Sequence, residues 1–341
     1  MKKILSLVVT VISFLFVSAD TTHRDHSFKI SSVCSPAFLS ADTDTAKKNF
    51  SVIAYVMCHS VEDIDGIDYS RITHIHHAFI NPDSLGNFAY NICLDSAVQR
   101  AHTHGVKILA SIGGGSAPAY YSHLLEQPFR QELVNNLAKL AEDFELDGID
   151  VDLEGPRIDA NYEAFVTELA ATLKPIGKLV TAAMATPYGA TVTNKALKQF
   201  DYITIMSYDK TGPWRPEVGG PHAPYSMAVE DLDYWGKTRK VNKKRMHLGL
   251  PFYGYIFGAS SGPSYMSYKD IVAAFSEAEV KDEIKLDNGG TLYYNGKATI
   301  EKKVQLALKR ASGIMFWELS QDAKGDKSLL KAINEIIDSK K

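Results

Sequence analysis

Cysteine is scarce in this chain: Cys34, Cys58 and Cys93 are the only three in 341 residues. No two of them have the spacing of zinc ligands, and an odd number leaves room for one disulfide at most, with the pairing open. Charge of one sign is also missing. A net charge of −3 supplies no electrostatic pull toward nucleic acid or an anionic membrane, which points to a neutral partner. No glycine-rich phosphate fingerprint is present, so nothing supports a dinucleotide fold. Long apolar runs are missing as well. The run Ile4–Val17 falls short of the roughly 20 residues that cross a bilayer.

That run follows Lys2 and Lys3 and ends at the small residues Val17-Ser18-Ala19, the pattern of a secretory signal peptide cut after Ala19. The expected product is secreted or periplasmic, with no membrane span after cleavage. Residues 20–48 are rich in Ser, Thr and Asp and read as a leader or linker, which leaves 49–341 for the main folded domain. A composition 45% hydrophobic and 23% charged is that of an ordinary globular protein, and a monomer is expected.

The most informative segment is Asp147-Gly-Ile-Asp-Val-Asp-Leu-Glu154. Read as a strand, it sets Asp150, Asp152 and Glu154 on one face and Ile149, Val151 and Leu153 on the other. Neighbouring acids would stand about 6.6 Å apart and repel by roughly 2.5 kcal/mol at an effective dielectric near 20. Crowding of this kind pushes one pKa up and leaves another low, which suits acid/base work. A solvated edge strand would not need three large apolar residues behind it, and three acids along one extended strand cannot close round a cation as a loop does.

Eight apolar runs follow one another: Phe50–Val56, Thr73–Ile80, Val106–Gly113, Leu146–Glu154, Leu179–Ala185, Tyr202–Asp209, Met246–Gly254 and Gly313–Leu319. Helical stripes fill most gaps, among them Phe129, Leu133, Leu137, Leu140 and Phe144, and Phe165, Leu169 and Leu173 before Pro175. Eight such alternations predict a (β/α)8 TIM barrel, with a doubly wound open sheet as the runner-up. The carboxylates would then face inward and climb toward the mouth, with Glu154 outermost. Between the seventh and eighth strands, a helix over Tyr268–Ala278 and turns at Asn288-Gly289-Gly290 and Asn295-Gly296 predict a modest helix/hairpin excursion. So small an excursion implies a shallow cleft.

Taken together, the motifs resemble glycoside hydrolase family 18, the chitinase family, over Phe50–Leu319. Asp147, Asp150, Asp152 and Glu154 fill its Asp-x-x-Asp-x-Asp-x-Glu signature. Ser111-Ile112-Gly113-Gly114 resembles its third-strand motif, Met206-Ser207-Tyr208-Asp209 its sixth, Pro251-Phe252-Tyr253-Gly254 its seventh, and Trp317 its last-strand tryptophan. The resemblance implies retaining hydrolysis assisted by the substrate's own N-acetyl group, with no cofactor and no metal. Glu154 would be the acid/base, Asp152 the orienter of the acetamide, Asp150 its proton-sharing neighbour, and Tyr208 a donor to the acetyl oxygen. Tyr55 and Ser111 would hydrogen-bond Asp150. Asp209 would contact the same sugar, Trp317 would floor it, and Trp214 would carry a more distant one. Phe79, Met206 and Tyr253 would line the pocket.

Two departures from the family pattern stand out. His76-His77 replaces a common Asn-Tyr on the second strand, and Tyr255 follows Pro-Phe-Tyr-Gly where many relatives carry Arg. A metal reading of His74 and His76 lacks a third ligand. The expected substrate is chitin or another N-acetylglucosamine glycan. Alternatives are an endo-β-N-acetylglucosaminidase acting on N-glycan cores and, since the acid is intact, more remotely a non-catalytic chitinase-like lectin.

Overall fold

The computed structural model describes residues 50–58, 60–262 and 264–339. The expected signal peptide, the cleavage point after Ala19, the 20–48 leader and Cys34 therefore lie outside the described residues. In chain order the strands are β1 (Ser51–Met57), β2 (His74–Ala78), β3 (Lys107–Gly113), β4 (Gly148–Asp152), β5 (Leu179–Met184), β6 (Tyr202–Ile205), β7 (Met246–Pro251), β8 (Tyr253–Phe257), β9 (Tyr265–Ser267), β10 (Glu283–Lys285), β11 (Thr291–Tyr293) and β12 (Gly313–Trp317). Those from β1 to β7 and β12 are parallel and close a barrel in the order β1-β12-β7-β6-β5-β4-β3-β2. This is the (β/α)8 TIM barrel; seven of the eight predicted runs contain one of its strands whole, and Phe50–Val56 covers all of β1 but Met57.

The helices are α1 (Val61–Asp65), α2 (Ile92–Thr103), α3 (Tyr121–Leu124), α4 (Phe129–Asp143), α5 (Tyr162–Leu173), α6 (Asn194–Gln199), α7 (Tyr225–Asp233), α8 (Tyr268–Ala274), α9 (Lys297–Arg310) and α10 (Leu329–Asp338). Because the barrel strands are parallel and covered by helices, both of their faces are buried, and they read as continuous apolar runs. Two separate cores result. Ile149, Val151 and Leu153 belong to the outer layer with Leu133, Leu137, Phe165 and Leu169 of the helices. The interior layer holds Tyr55, Tyr202, Tyr208, Tyr253 and Met315. Phe129 departs from its stripe: it is largely exposed at the start of α4 and packs on the His123 ring at 4.1 Å.

The excursion between β7 and β12 is larger than the hairpin that the turns predict. It is a four-stranded antiparallel sheet, β10-β11-β8-β9, with α8 following β9. The single predicted run Met246–Gly254 divides because the barrel strand ends at Pro251 and the chain turns at Phe252 into β8, which pairs with β9 and β11. Asn288-Gly289-Gly290 does connect β10 to β11, whereas Asn295-Gly296 leads into α9, where the Gly296 N–H donates to Asp282. Tyr253 and Tyr255 of this sheet stand beside the sixth-strand motif.

Among the described residues, no helix is long and apolar enough to cross a membrane. Cys58 and Cys93 form a disulfide that ties the end of β1 to the first turn of α2, with Cα atoms 6.1 Å apart and 35 residues of separation. Closing a loop of that length restricts the unfolded chain by an amount worth about 2–4 kcal/mol. Cys58→Ser should therefore lower the unfolding free energy by about that amount in urea titration. An unchanged midpoint would mean that the link constrains nothing.

Candidate active site

The acidic strand is held in place from both sides. In the barrel register, Asp150 lies beside Ser111 of β3 and Thr181 of β5, so all three side chains share one inward layer. Gly113 is paired with Asp152, and a Cβ there would stand 2.3 Å from the Asp152 carbonyl oxygen; its φ of +105° also excludes other residues without strain. At Gly114 a Cβ would run into the Phe79 ring at 2.4 Å. The two glycines of the third-strand motif thus let β4 and Phe79 close against the mouth.

Burial is graded along the strand. Asp150 is completely enclosed, Asp152 is 3% exposed, and Glu154, two residues past the last ladder position, is half-buried at the rim. Asp150 accepts hydrogen bonds from Tyr55 Oη (2.6 Å) and Ser111 Oγ (2.8 Å) on Oδ2, and from Thr181 Oγ1 (2.6 Å) on Oδ1. His76 Nδ1 stands 3.2 Å from Oδ2. Burial opposes ionisation of Asp150, but His76 and the donors Thr181 and Tyr55 outweigh it and hold the carboxyl below its usual range.

Asp152 is the opposite case. Burial first, then the charges of Glu154 and Asp150, push its carboxyl well above the usual range, and its Oδ1 is buried without a hydrogen-bond partner. Glu154 is raised to about 7, by burial and then by the charge of Asp209. The expected split between a low and a high carboxyl is therefore present within one strand. It yields a protonated acid at the rim, a carboxyl with a free acceptor below it, and a fixed anion at the base.

The sixth-strand motif closes the other side. Tyr208 is buried, its hydroxyl pointing at Met315 Sδ 3.7 Å away, and burial pushes its pKa up so that it stays a neutral donor. Ser207 turns outward to donate to Asp231, while Met206 is half-buried in the inner layer. Asp209 has a φ of +61°, accepts from Tyr253 Oη at 2.5 Å, and lies 3.5 Å from His222 Nδ1. Trp317, at the end of β12, stacks on Phe79 at 5.5 Å and tilts against Tyr55 at the same separation. Trp214 is 58% exposed and meets Tyr255 edge-on at 5.6 Å, so a large aromatic face is open to solvent beside the pocket.

The structure thus brings Tyr55, Phe79, Ser111, Asp150, Trp317 and the Tyr208-Asp209-Tyr253 group together around the inner end of the acidic strand, whereas Asp147 lies at the other end of β4, bonded to His102 and the Ile108 N–H. Sequence reasoning missed Thr181, His76 and His222. Thr181 has an inward alternation signal on its strand, but its placement beside Asp150 depends on the register between strands. His222 lies in a loop after Gly219-Gly220-Pro221 and carries no pattern at all. Among the described residues, no group of three or more His, Cys, Asp or Glu could hold a metal ion. His74 and His76 face inward, as expected, but His76 is engaged by Asp150 and by Tyr202 Oη at 3.0 Å.

Comparison with known proteins bears on what this cavity belongs to. The family model of glycosyl hydrolases family 18 matches residues 45–322. The chain belongs to that family. Among solved structures, the family 18 chitinase ChiB of the Flavobacterium johnsoniae chitin utilization locus superposes with a TM-score of 0.79 at 34% identity, covering 86% of this chain and 95% of that one. A chitinase from Bacteroides thetaiotaomicron gives 0.75 at 29% identity, over 85% and 96% of the two chains. A chitinase-like effector of Moniliophthora roreri is 30% identical over 223 residues, 56% of this chain and 54% of that protein. The chain thus spans about half the length of that curated relative. Within family 18, the rim acid here is tuned by Asp209, itself held by Tyr253 of the inserted sheet.

Removing a like charge favours the ionised form of its neighbour. Carboxyl-carbon NMR should titrate Glu154 with a midpoint near 7 in the native chain, as its burial and the charge of Asp209 require. In Asp209→Asn the midpoint should move to lower pH. A midpoint unmoved by that change would show that Asp209 does not act on the rim acid.

Proposed function

We propose that this chain is an exported, monomeric, endo-acting chitinase that cleaves β-1,4 bonds between N-acetylglucosamine units with retention, assisted by the substrate's own acetamide. The observation that carries the reading is the buried, partnerless Oδ1 of Asp152, flanked by a protonated Glu154 and a fixed Asp150. An enclosed acceptor with nothing to accept is costly, and an acetamido N–H would satisfy it. Chitin as the polymer is supported by the chitinases of Flavobacterium johnsoniae and Bacteroides thetaiotaomicron that the chain resembles along nearly their whole length.

In this reading Glu154 gives its proton to the glycosidic oxygen while the acetamido carbonyl oxygen attacks the anomeric carbon from the opposite face. The aglycone leaves as an alcohol, and a cyclic oxazolinium remains. Asp152 holds the N–H through its free acceptor oxygen, and the fixed charge of Asp150 beneath it opposes the positive charge growing on the ring. Tyr208, neutral at any working pH, donates to the acetyl oxygen and fixes its line of attack. Water then opens the ring at the anomeric carbon and returns its proton to Glu154, which restores the starting state with retained configuration. Trp317 on Phe79 supplies the apolar floor for that sugar, and Trp214 a stacking face for another. Asp209 contacts the sugar while holding Glu154 in its acid form.

A second reading, a sugar-binding protein without turnover, is favoured by the effector-type relatives. The intact acid and the divided carboxyl pKa values oppose it. The endo-β-N-acetylglucosaminidase reading shares the same strand and differs in the leaving group. Chitohexaose and a high-mannose glycoprotein discriminate between the three. Shorter chitooligosaccharides of retained anomeric configuration are expected, with kcat down about 10²–10⁴-fold in Glu154→Gln and KM little changed. Release of intact N-glycans with little chitooligosaccharide cleavage would reverse the order of the two enzymes, and tight binding without products would support the lectin.

A further inference from the structure

His76 stands in the barrel floor with no task in the reaction just described. It is completely buried, on the inward face of β2, between Asp150 and Tyr202. Its Nδ1 lies 3.2 Å from Asp150 Oδ2, off the line of an ideal hydrogen bond, and has no other polar partner. Asp150 already accepts from three hydroxyls, as an anion with four acceptor positions does. A bare imidazole nitrogen at that distance would set a lone pair against a carboxylate with both side chains fully buried, which is unfavourable. A proton on Nδ1 removes the conflict.

We propose that His76 is a positioning residue for the acidic strand: its Nδ1–H faces Asp150 and, with Tyr55, Ser111 and Thr181, keeps Asp150 a carboxylate so that the proton of the Asp150–Asp152 pair resides on Asp152. Tyr202 makes this arrangement independent of the charge on the ring. Its hydroxyl donates to Nε2 when the imidazole is neutral and accepts from Nε2–H when it is cationic, so Nδ1 carries hydrogen in both states. The other titratable groups facing this floor do not compete for the role. His74 of β2 and His247 of β7 pack on the Tyr202 ring at 5.9 and 4.6 Å, and both are lowered to about 3 and left neutral, His74 by burial and then by His76 and Lys107, His247 by burial and then by His74 and His76. Tyr55, Tyr162 and Tyr202 are pushed up by burial and the nearby carboxylates, and stay neutral. Farther out, Lys107, Asp147 and Asp201 act on His74 and Tyr202.

The inference rests on reading the site as a substrate-assisted glycosidase, and its test has one arm that does not depend on turnover. Long-range ¹H–¹⁵N correlation on the histidine-labelled native protein across pH 5–8 should find Nδ1 of His76 protonated throughout. An Nε2–H tautomer with bare Nδ1 would overturn the proposal. The kinetic arm uses His76→Phe, checked for folding by its thermal melt. Losing a donor to the charged form raises the pKa of Asp150, so the acid limb of kcat/KM on chitohexaose should move up by about one pH unit, with KM changed less than twofold. His76→Asn, whose amide can donate, should bring the limb part of the way back. A folded His76→Phe with an unmoved limb refutes the role. Absence of chitohexaose cleavage by the native protein would refute the proposed function instead, while the tautomer still decides His76.

Discussion

Three carboxyl groups on one face of a single buried strand set the terms for everything around them. Asp150, Asp152 and Glu154 cannot all be charged without cost, because the first two are buried and each charge on the strand opposes ionisation of Asp152 between them. The barrel resolves the conflict by giving each acid a different environment. The base of the strand receives three hydroxyl donors from β1, β3 and β5 and an imidazole from β2; the middle receives no side-chain hydrogen bond on one oxygen; the rim receives the charge of Asp209 across the cavity. Burial thus falls along five residues from Asp150 to Glu154 while ionisation is favoured only at the base, and the chemistry follows from that division.

The same constraint explains the packing nearby. Four neighbouring strands must deliver donors to one carboxylate to within a few tenths of an ångström, which requires close and rigid backbone contact. Gly113 permits it at the β3–β4 pair, and Gly114 lets Phe79 lie against the mouth, where it backs Trp317. The aromatic interior layer then fills the space that the polar cluster leaves. Tyr55 belongs to both systems, as a donor to Asp150 and as a ring against Trp317, so the sugar floor and the anionic base are mechanically one unit.

Much of this was legible in the sequence because its signals are local. Alternating acids and apolar residues in Asp150–Leu153 fixed a two-faced buried strand, and strand-helix alternation fixed the barrel, since parallel strands covered on both sides produce long apolar runs. Glycine pairs, the Tyr208-Asp209 dipeptide and Trp317 mark strand ends, where the barrel gathers functional groups. Thr181, His76 and His222 were not legible as site residues, because what gives each a role is register or loop closure between segments distant in sequence. The excursion was underestimated for a related reason. One apolar run, Met246–Gly254, hid two strands belonging to different sheets, and periodicity cannot distinguish a bend at Phe252 from a continuous strand.

That inserted sheet changes how the rim acid should be understood. Asp209 sits in a left-handed backbone conformation that most residues avoid, and a non-glycine residue persists there only when its surroundings hold it. The surroundings are Tyr253 of the inserted sheet, which donates to its carboxylate, and His222, which packs between Tyr253 and Tyr255. The charge of Asp209 is in turn one of the two causes that raise Glu154 to about 7. The acidity of the last residue of the fourth-strand motif therefore depends on an element inserted between β7 and β12. A barrel with the same eight strands and the same acidic signature, but a differently packed insertion, would hold Asp209 differently and present a weaker or stronger acid. In this chain the insertion is part of the electrostatics of the site as well as its wall.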